Sequence, residues 1–121
     1  MRTSFVLLAV LAGAAVPVSG ASARPAAAPV LTGSDGPAFT IALKLHGKPV
    51  KTLKAGSYTF VIHDMATAHG FSLDGPHGFA RDLAAVPFMG TKTIVLNLKA
   101  GAYKFYCPAH ESMMFGRFAV H

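Results

Sequence analysis

The chain has 121 residues, which suits one domain, and 52% of them are hydrophobic, which excludes a disordered chain. Eleven Lys and Arg against five Asp and Glu give a formal charge of +6, or +5 once Arg2 is cut away. The lysines (Lys44, Lys48, Lys51, Lys54, Lys92, Lys99, Lys104) are scattered and not interleaved with aromatics, so nucleic acid is not an expected partner.

The amino-terminal stretch has the three parts of a secretory signal peptide. Met1-Arg2 is positive, Phe5 to Val16 is almost wholly apolar, and Ala21-Ser22-Ala23 offers small residues for cleavage after Ala23. The apolar run is short for a membrane span, and no other candidate follows, so no transmembrane segment is expected in the mature chain. Without a twin arginine, or a cysteine near the cut, neither folded export nor a lipid anchor is expected. The expected location is periplasmic or secreted. Residues 24–36, rich in Ala, Pro and Gly, read as a flexible leader, and residues 37–121 as the domain.

The domain reads as all-β. Ala38 to Leu45 alternates, with Phe39, Ile41, Leu43 and Leu45 on one side, which is the period of a half-buried strand. His46-Gly47-Lys48 is a turn and Val50 to Leu53 a short second strand. Leu53-Lys54-Ala55-Gly56-Ser57-Tyr58-Thr59-Phe60 returns almost unchanged as Leu98-Lys99-Ala100-Gly101-Ala102-Tyr103-Lys104-Phe105. Each copy is a glycine turn feeding a Tyr-x-Phe strand, and the two are expected at comparable places in a sandwich. Asp74 to Gly90 reads as a long connection with one helical turn at Ala80 to Ala85. Thr91 to Leu98 and Phe118 to His121 supply the last strands. Short strands between glycine turns point to a β-sandwich or barrel.

Exported chains ordinarily pair their cysteines, so the single Cys107 is a reactive thiol, an intermolecular bridge or a ligand. Its neighbours favour the ligand. Tyr106-Cys107-Pro108-Ala109-His110-Glu111-Ser112-Met113-Met114-Phe115-Gly116 puts a thiolate, an imidazole and a thioether in one tight loop. The sulfur donors favour Cu(I), and imidazole serves both copper oxidation states. A second imidazole is available from His69, at the head of the alternating segment Gly70-Phe71-Ser72-Leu73. Trigonal His₂Cys with a long methionine bond is the blue-copper arrangement.

With these residues in view the chain resembles the cupredoxins of the plastocyanin/azurin type, especially small secreted bacterial ones. The resemblance rests on His69-x-Phe71, Cys107-x-x-His110 and Met114-x-Gly116, and runs from Leu53 to His121, roughly two thirds of the mature domain. It implies a Greek-key β-sandwich with one copper at one end, bound by His69, Cys107, His110 and Met114, with Met113 as the alternative axial ligand. It also implies a monomeric single-electron carrier, not an enzyme. Redox protein partners would dock on an apolar patch near His110 that includes Phe115 and the methionines.

Other readings fit less of the sequence. Catalytic zinc on His₂Cys would need a general base, and Glu111 is the only nearby carboxylate. Catalysis by Cys107 with His110 lacks an orienting third group and an oxyanion hole. No phosphate-cradling glycine loop and no paired carboxylate is evident. His46, His63, His77 and His121 read as structural. A copper capture or delivery protein would use the same ligands, and a structural sandwich with a vestigial site is a further reading.

Overall fold

The computed structural model describes residues 12–17, 20 and 27–121. The expected cleavage point and most of the expected signal segment lie outside the described residues. Among the described residues no helix is long and apolar enough to cross a membrane.

Among the described residues ten strands make the domain: β1 Val30–Asp35, β2 Ile41–Leu45, β3 Lys48–Pro49, β4 Thr52–Leu53, β5 Gly56–Asp64, β6 Phe71–Asp74, β7 Ala80–Ala84, β8 Gly90–Leu98, β9 Gly101–Tyr106 and β10 Phe115–Val120. They form two five-stranded sheets, ordered β3-β2-β1-β5-β8 and β4-β10-β9-β6-β7. Neighbours run antiparallel except β1 with β5 and β4 with β10. The crossovers between non-consecutive neighbours give the expected Greek-key sandwich.

Alternation along β5 and β9 accounts for the core. Tyr58, Phe60 and Ile62 point inward from one sheet, and Tyr103 and Phe105 from the other. Phe71 and Phe105 stack at 5.7 Å between centroids, and Tyr103 stacks on Phe118 at 5.1 Å. The two copies of the Lys-Ala-Gly-x-Tyr segment do take matching places. The Tyr58 hydroxyl donates to the Lys54 carbonyl at 2.7 Å, and that of Tyr103 to the Lys99 carbonyl at 2.8 Å. Gly56 and Gly101 have φ of 151° and 150°, a conformation open mainly to glycine, which is why both copies keep it.

Several boundaries differ from the sequence expectation. Residues 30–36 are not leader: Val30–Asp35 is a strand between β2 and β5, so the sandwich begins seven residues before 37. Its inward column is Leu31, Gly33 and Asp35, which shows no apolar period. Gly33 is there because the Ile62 and Phe71 side chains fill its place; a Cβ would lie 2.5 Å from Ile62 Cδ1. The expected helical turn at Ala80 to Ala85 is instead β7, paired with β6, after a short 3₁₀ turn at Pro76–Gly78. Only Leu83 and Ala84 of β7 are buried, so this edge strand carries little pattern to read. Of the second strand expected over Val50 to Leu53 only Thr52–Leu53 is strand, as β4; β3 precedes it at Lys48–Pro49 and belongs to the other sheet. The last strand starts three residues earlier than expected, at Phe115.

The register sorts the strand ends into two poles. Asp35, Asp64, Phe71, Tyr106 and Phe115 lie at one pole, where residues 36–40, 65–70, 85–89 and 107–114 form the connections. The poles differ in chemistry.

Candidate metal centre

Two of these connections bring His69, Cys107 and His110 together. Cys107 follows the last residue of β9, and its N–H donates to the Met114 carbonyl at 3.0 Å, so Met114 lies across from it at the mouth of the loop. Within the loop the His110 N–H donates to the Cys107 carbonyl at 3.1 Å. The N–H groups of Met113 and Met114 both donate to the His110 carbonyl, at 3.0 and 2.9 Å. These bonds are closed by backbone alone, so the path of the loop is set by the chain itself. Lys104 Nζ reaches Glu111 Oε1 at 2.7 Å and ties the loop to β9, so the carboxylate within the loop is directed to a lysine. His69 precedes β6, and its N–H donates to the Ala66 carbonyl at 3.1 Å.

Nδ1 of His69 and Nδ1 of His110 lie 3.1 Å apart, and Cys107 Sγ lies 3.9 and 3.7 Å from them. His69 and Cys107 are buried, and His110 is half-buried. Both imidazoles thus present the same ring nitrogen to one thiol. The two adjacent methionines separate cleanly: Met114 is fully buried, whereas Met113 is 62% exposed.

Phe39 is a participant the sequence period misplaces. Expected on the inner side of a strand, it precedes β2 and lies edge-on to both imidazoles, 5.7 Å from His69 and 4.9 Å from His110 between centroids. Gly36, at φ 73°, lets the backbone close on His69; a Cβ there would be 3.0 Å from His69 Cδ2. A Gly-Pro pair ahead of an aromatic was the available sign that this stretch is a shaped loop and not the start of a strand.

The remaining histidines stand apart from this group. His63 Nδ1 is 3.1 Å from Thr91 Oγ1 on the sheet surface. His46 occupies the β2–β3 turn at φ 51°, and His77 the 3₁₀ turn at φ 57°. His121 follows β10, its N–H donating to the Leu53 carbonyl.

Comparison with solved structures places the architecture. The chain superposes on rusticyanin, a copper protein known from Thiobacillus ferrooxidans, with a TM-score of 0.55 at 18% identity over 76% of each chain. On reduced rusticyanin the TM-score is 0.53 at 18% identity, covering 76% of this chain and 78% of that one. The fold is that of the cupredoxins. No family model and no curated protein matches the chain. At such identity the likeness concerns the cupredoxin sandwich itself, and the chemistry of this chain has to be argued from its own side chains.

Proposed function

We propose that the protein is an exported blue-copper carrier of single electrons, with copper held by His69, Cys107 and His110 and weakly by Met114. The observation that carries this reading is the triangle of two Nδ1 atoms and one Sγ at a single pole. Its edges of 3.1, 3.7 and 3.9 Å leave room for one divalent ion bonded to all three, at the lengths zinc takes to nitrogen and sulfur of about 2.0 and about 2.3 Å; the donor set is what points to copper. Two imidazoles, a thiolate and a thioether are the blue-copper donor set, and rusticyanin's description as a copper protein agrees with it. Burial supports Met114 rather than Met113 for the fourth direction, since a thioether 62% exposed would meet water first.

Copper in such a site supplies reversible one-electron chemistry, and the chain's residues make that exchange easy. The backbone bonds of the Cys107–Met114 loop and the packing of Phe39 on both rings hold the donors in one arrangement, so little has to move when an electron arrives. Cys107 and Met114, both fully buried, keep water from the sulfur side. His110 alone of the three donors reaches the surface, which makes its ring edge the path for the electron. Around it Phe39, Met65, Val86, Met89, Met113 and Phe115 expose apolar surface at the same pole. That patch fits a redox protein with an apolar face of its own, and the reading is of a monomer that docks transiently.

Two measurements test the reading. Met114→Leu is expected to raise the reduction potential, because a weak donor to Cu(II) is lost and the surroundings become more apolar; Met113→Leu is expected to change it far less. After reduction, the metal is expected to resist a Cu(I)-specific chelator. Ready loss of the metal at that step would replace electron carriage with copper capture and delivery. Export is checked separately: intact-mass measurement of the secreted protein is expected to give a chain beginning at Arg24 or within a few residues of it, and a retained hydrophobic segment would mean an anchored protein.

A further inference from the structure

The inward columns of β1 and β5 both end on an acid. Leu31-x-Gly33-x-Asp35 and Tyr58-x-Phe60-x-Ile62-x-Asp64 lie side by side in parallel register, with Asp35 opposite Asp64 at the site pole. Asp35 is 0% exposed and Asp64 2%. Neither has a cation within salt-bridge distance among the described residues. As ionised groups, which only accept, both carboxyl oxygens of Asp35 and Oδ2 of Asp64 are buried with no hydrogen-bond partner among the described residues. Two ionised carboxylates cannot bond to each other, and burying two unpaired charges side by side is prohibitive.

Both acids lead to His69. Asp64 Oδ1 accepts the Ala66 N–H at 3.2 Å, and the Ala66 carbonyl accepts the His69 N–H at 3.1 Å. The Asp35 carbonyl accepts the Met65 N–H at 3.0 Å, and the next residue, Gly36, is the one that closes on the His69 ring. We propose that Asp35 keeps a proton, donates it to the carboxylate of Asp64, and that this clasp between β1 and β5 positions His69 and loosens when the proton leaves. They are positioning residues, and they contribute no ligand.

Burial, followed by the hydrogen bond and charge of Asp64, pushes Asp35 up from 3.8 to about 7. Because the folded pKa lies above the unfolded one, the stabilisation is complete below about pH 4 and is lost as pH rises through about 7. The groups around the pair are few. Ile41 and Gly90 lie opposite Asp35 and Asp64 in register and carry no charge. Lys92 stands two residues along β8, with Nζ over the Phe88 ring, and Asp82 on β7 accepts from Ser72. His63 is next to Asp64 on the opposite face of the strand, and His69 lies beyond Ala66.

The proton itself is independent of any metal; its effect on redox behaviour rests on the copper reading. Infrared spectra of the metal-free protein at about pH 5, well above the ordinary aspartate range, are expected to show a carboxylic-acid carbonyl band. It should shift in D₂O, fade as pH passes about 7, and be missing in Asp35→Asn. That variant still offers a donor to Asp64, so it is expected to fold and to lose the decline in stability between about pH 4 and 7. In the copper-loaded protein the reduction potential is expected to fall through about pH 7, since a new negative charge near His69 favours Cu(II), and Asp35→Asn should flatten that fall.

No acid band in the wild-type protein at about pH 5 overturns the clasp whatever the metal does, and this needs no variant to fold. A band with a potential that ignores pH overturns the link to the site. A slope that persists in Asp35→Asn belongs to the histidines and overturns it equally.

Discussion

Replacing Cys107 with Ser is expected to abolish the intense visible band that copper(II) gives with the wild-type protein. The band comes from charge transfer out of a thiolate, and Cys107 is the only cysteine in the chain. It lies 3.7 and 3.9 Å from the two imidazole nitrogens, so its sulfur is the one donor able to supply the transition. Serine is nearly isosteric, and the backbone bond from residue 107 to Met114 does not involve the side chain, so far-ultraviolet circular dichroism should stay unchanged. The loss is therefore all-or-none in colour and small in fold. A colourless copper complex of the wild-type protein would remove the basis of the metal-centre reading.

Phe71→Ala is expected to be the most damaging change to the core, costing about 3–5 kcal/mol out of the roughly 5–15 kcal/mol that holds a domain together. Phe71 is fully buried, stacks on Phe105 with an interplanar angle of 6°, and fills the space that Gly33 leaves on β1. Removing the ring opens a cavity that touches both sheets at once, and backbone relaxation cannot close it from either side. The urea midpoint should drop with little change in m, because the same surface is exposed on unfolding. Phe71 also stands two residues after His69, so the copper spectrum should broaden well before the unfolding midpoint. A loss below about 1 kcal/mol would mean that the sandwich is plastic at this point.

Those side chains illustrate what could be read from the chain and what could not. Cys107, His110 and His69 stood out because a lone thiol and two imidazoles carry a chemistry that a sandwich with a single cysteine has little other use for. Met114 was separable from Met113 only in part by spacing; burial is what distinguishes them. Phe39 defeated the period argument, since its phase with Ile41 and Leu43 is right for a strand that in fact begins at Ile41. The first strand was hidden for a packing reason: its core column has a glycine where Phe71 and Ile62 intrude, and an acid where an apolar residue would be looked for. A pair of carboxylates was not evident, because Asp35 and Asp64 are 29 positions apart and meet only through a parallel strand pairing that no local pattern encodes. Yet Asp64 continues the phase of Tyr58, Phe60 and Ile62, and taking that phase literally would have placed it inside.

The sorting of strand ends also governs how the molecule can be attached to anything else. The chain enters the sandwich at Val30 and leaves it at Val120, and both points lie at the pole opposite Cys107 and His110. A fusion partner, an affinity handle or an electrode linker joined at either point would leave the donor pole facing outward. Joined through the β1–β2 loop instead, it would sit on Phe39 and block the ring edge of His110. Immobilised copies of the protein should therefore exchange electrons freely when held by their ends, and poorly when held by that loop.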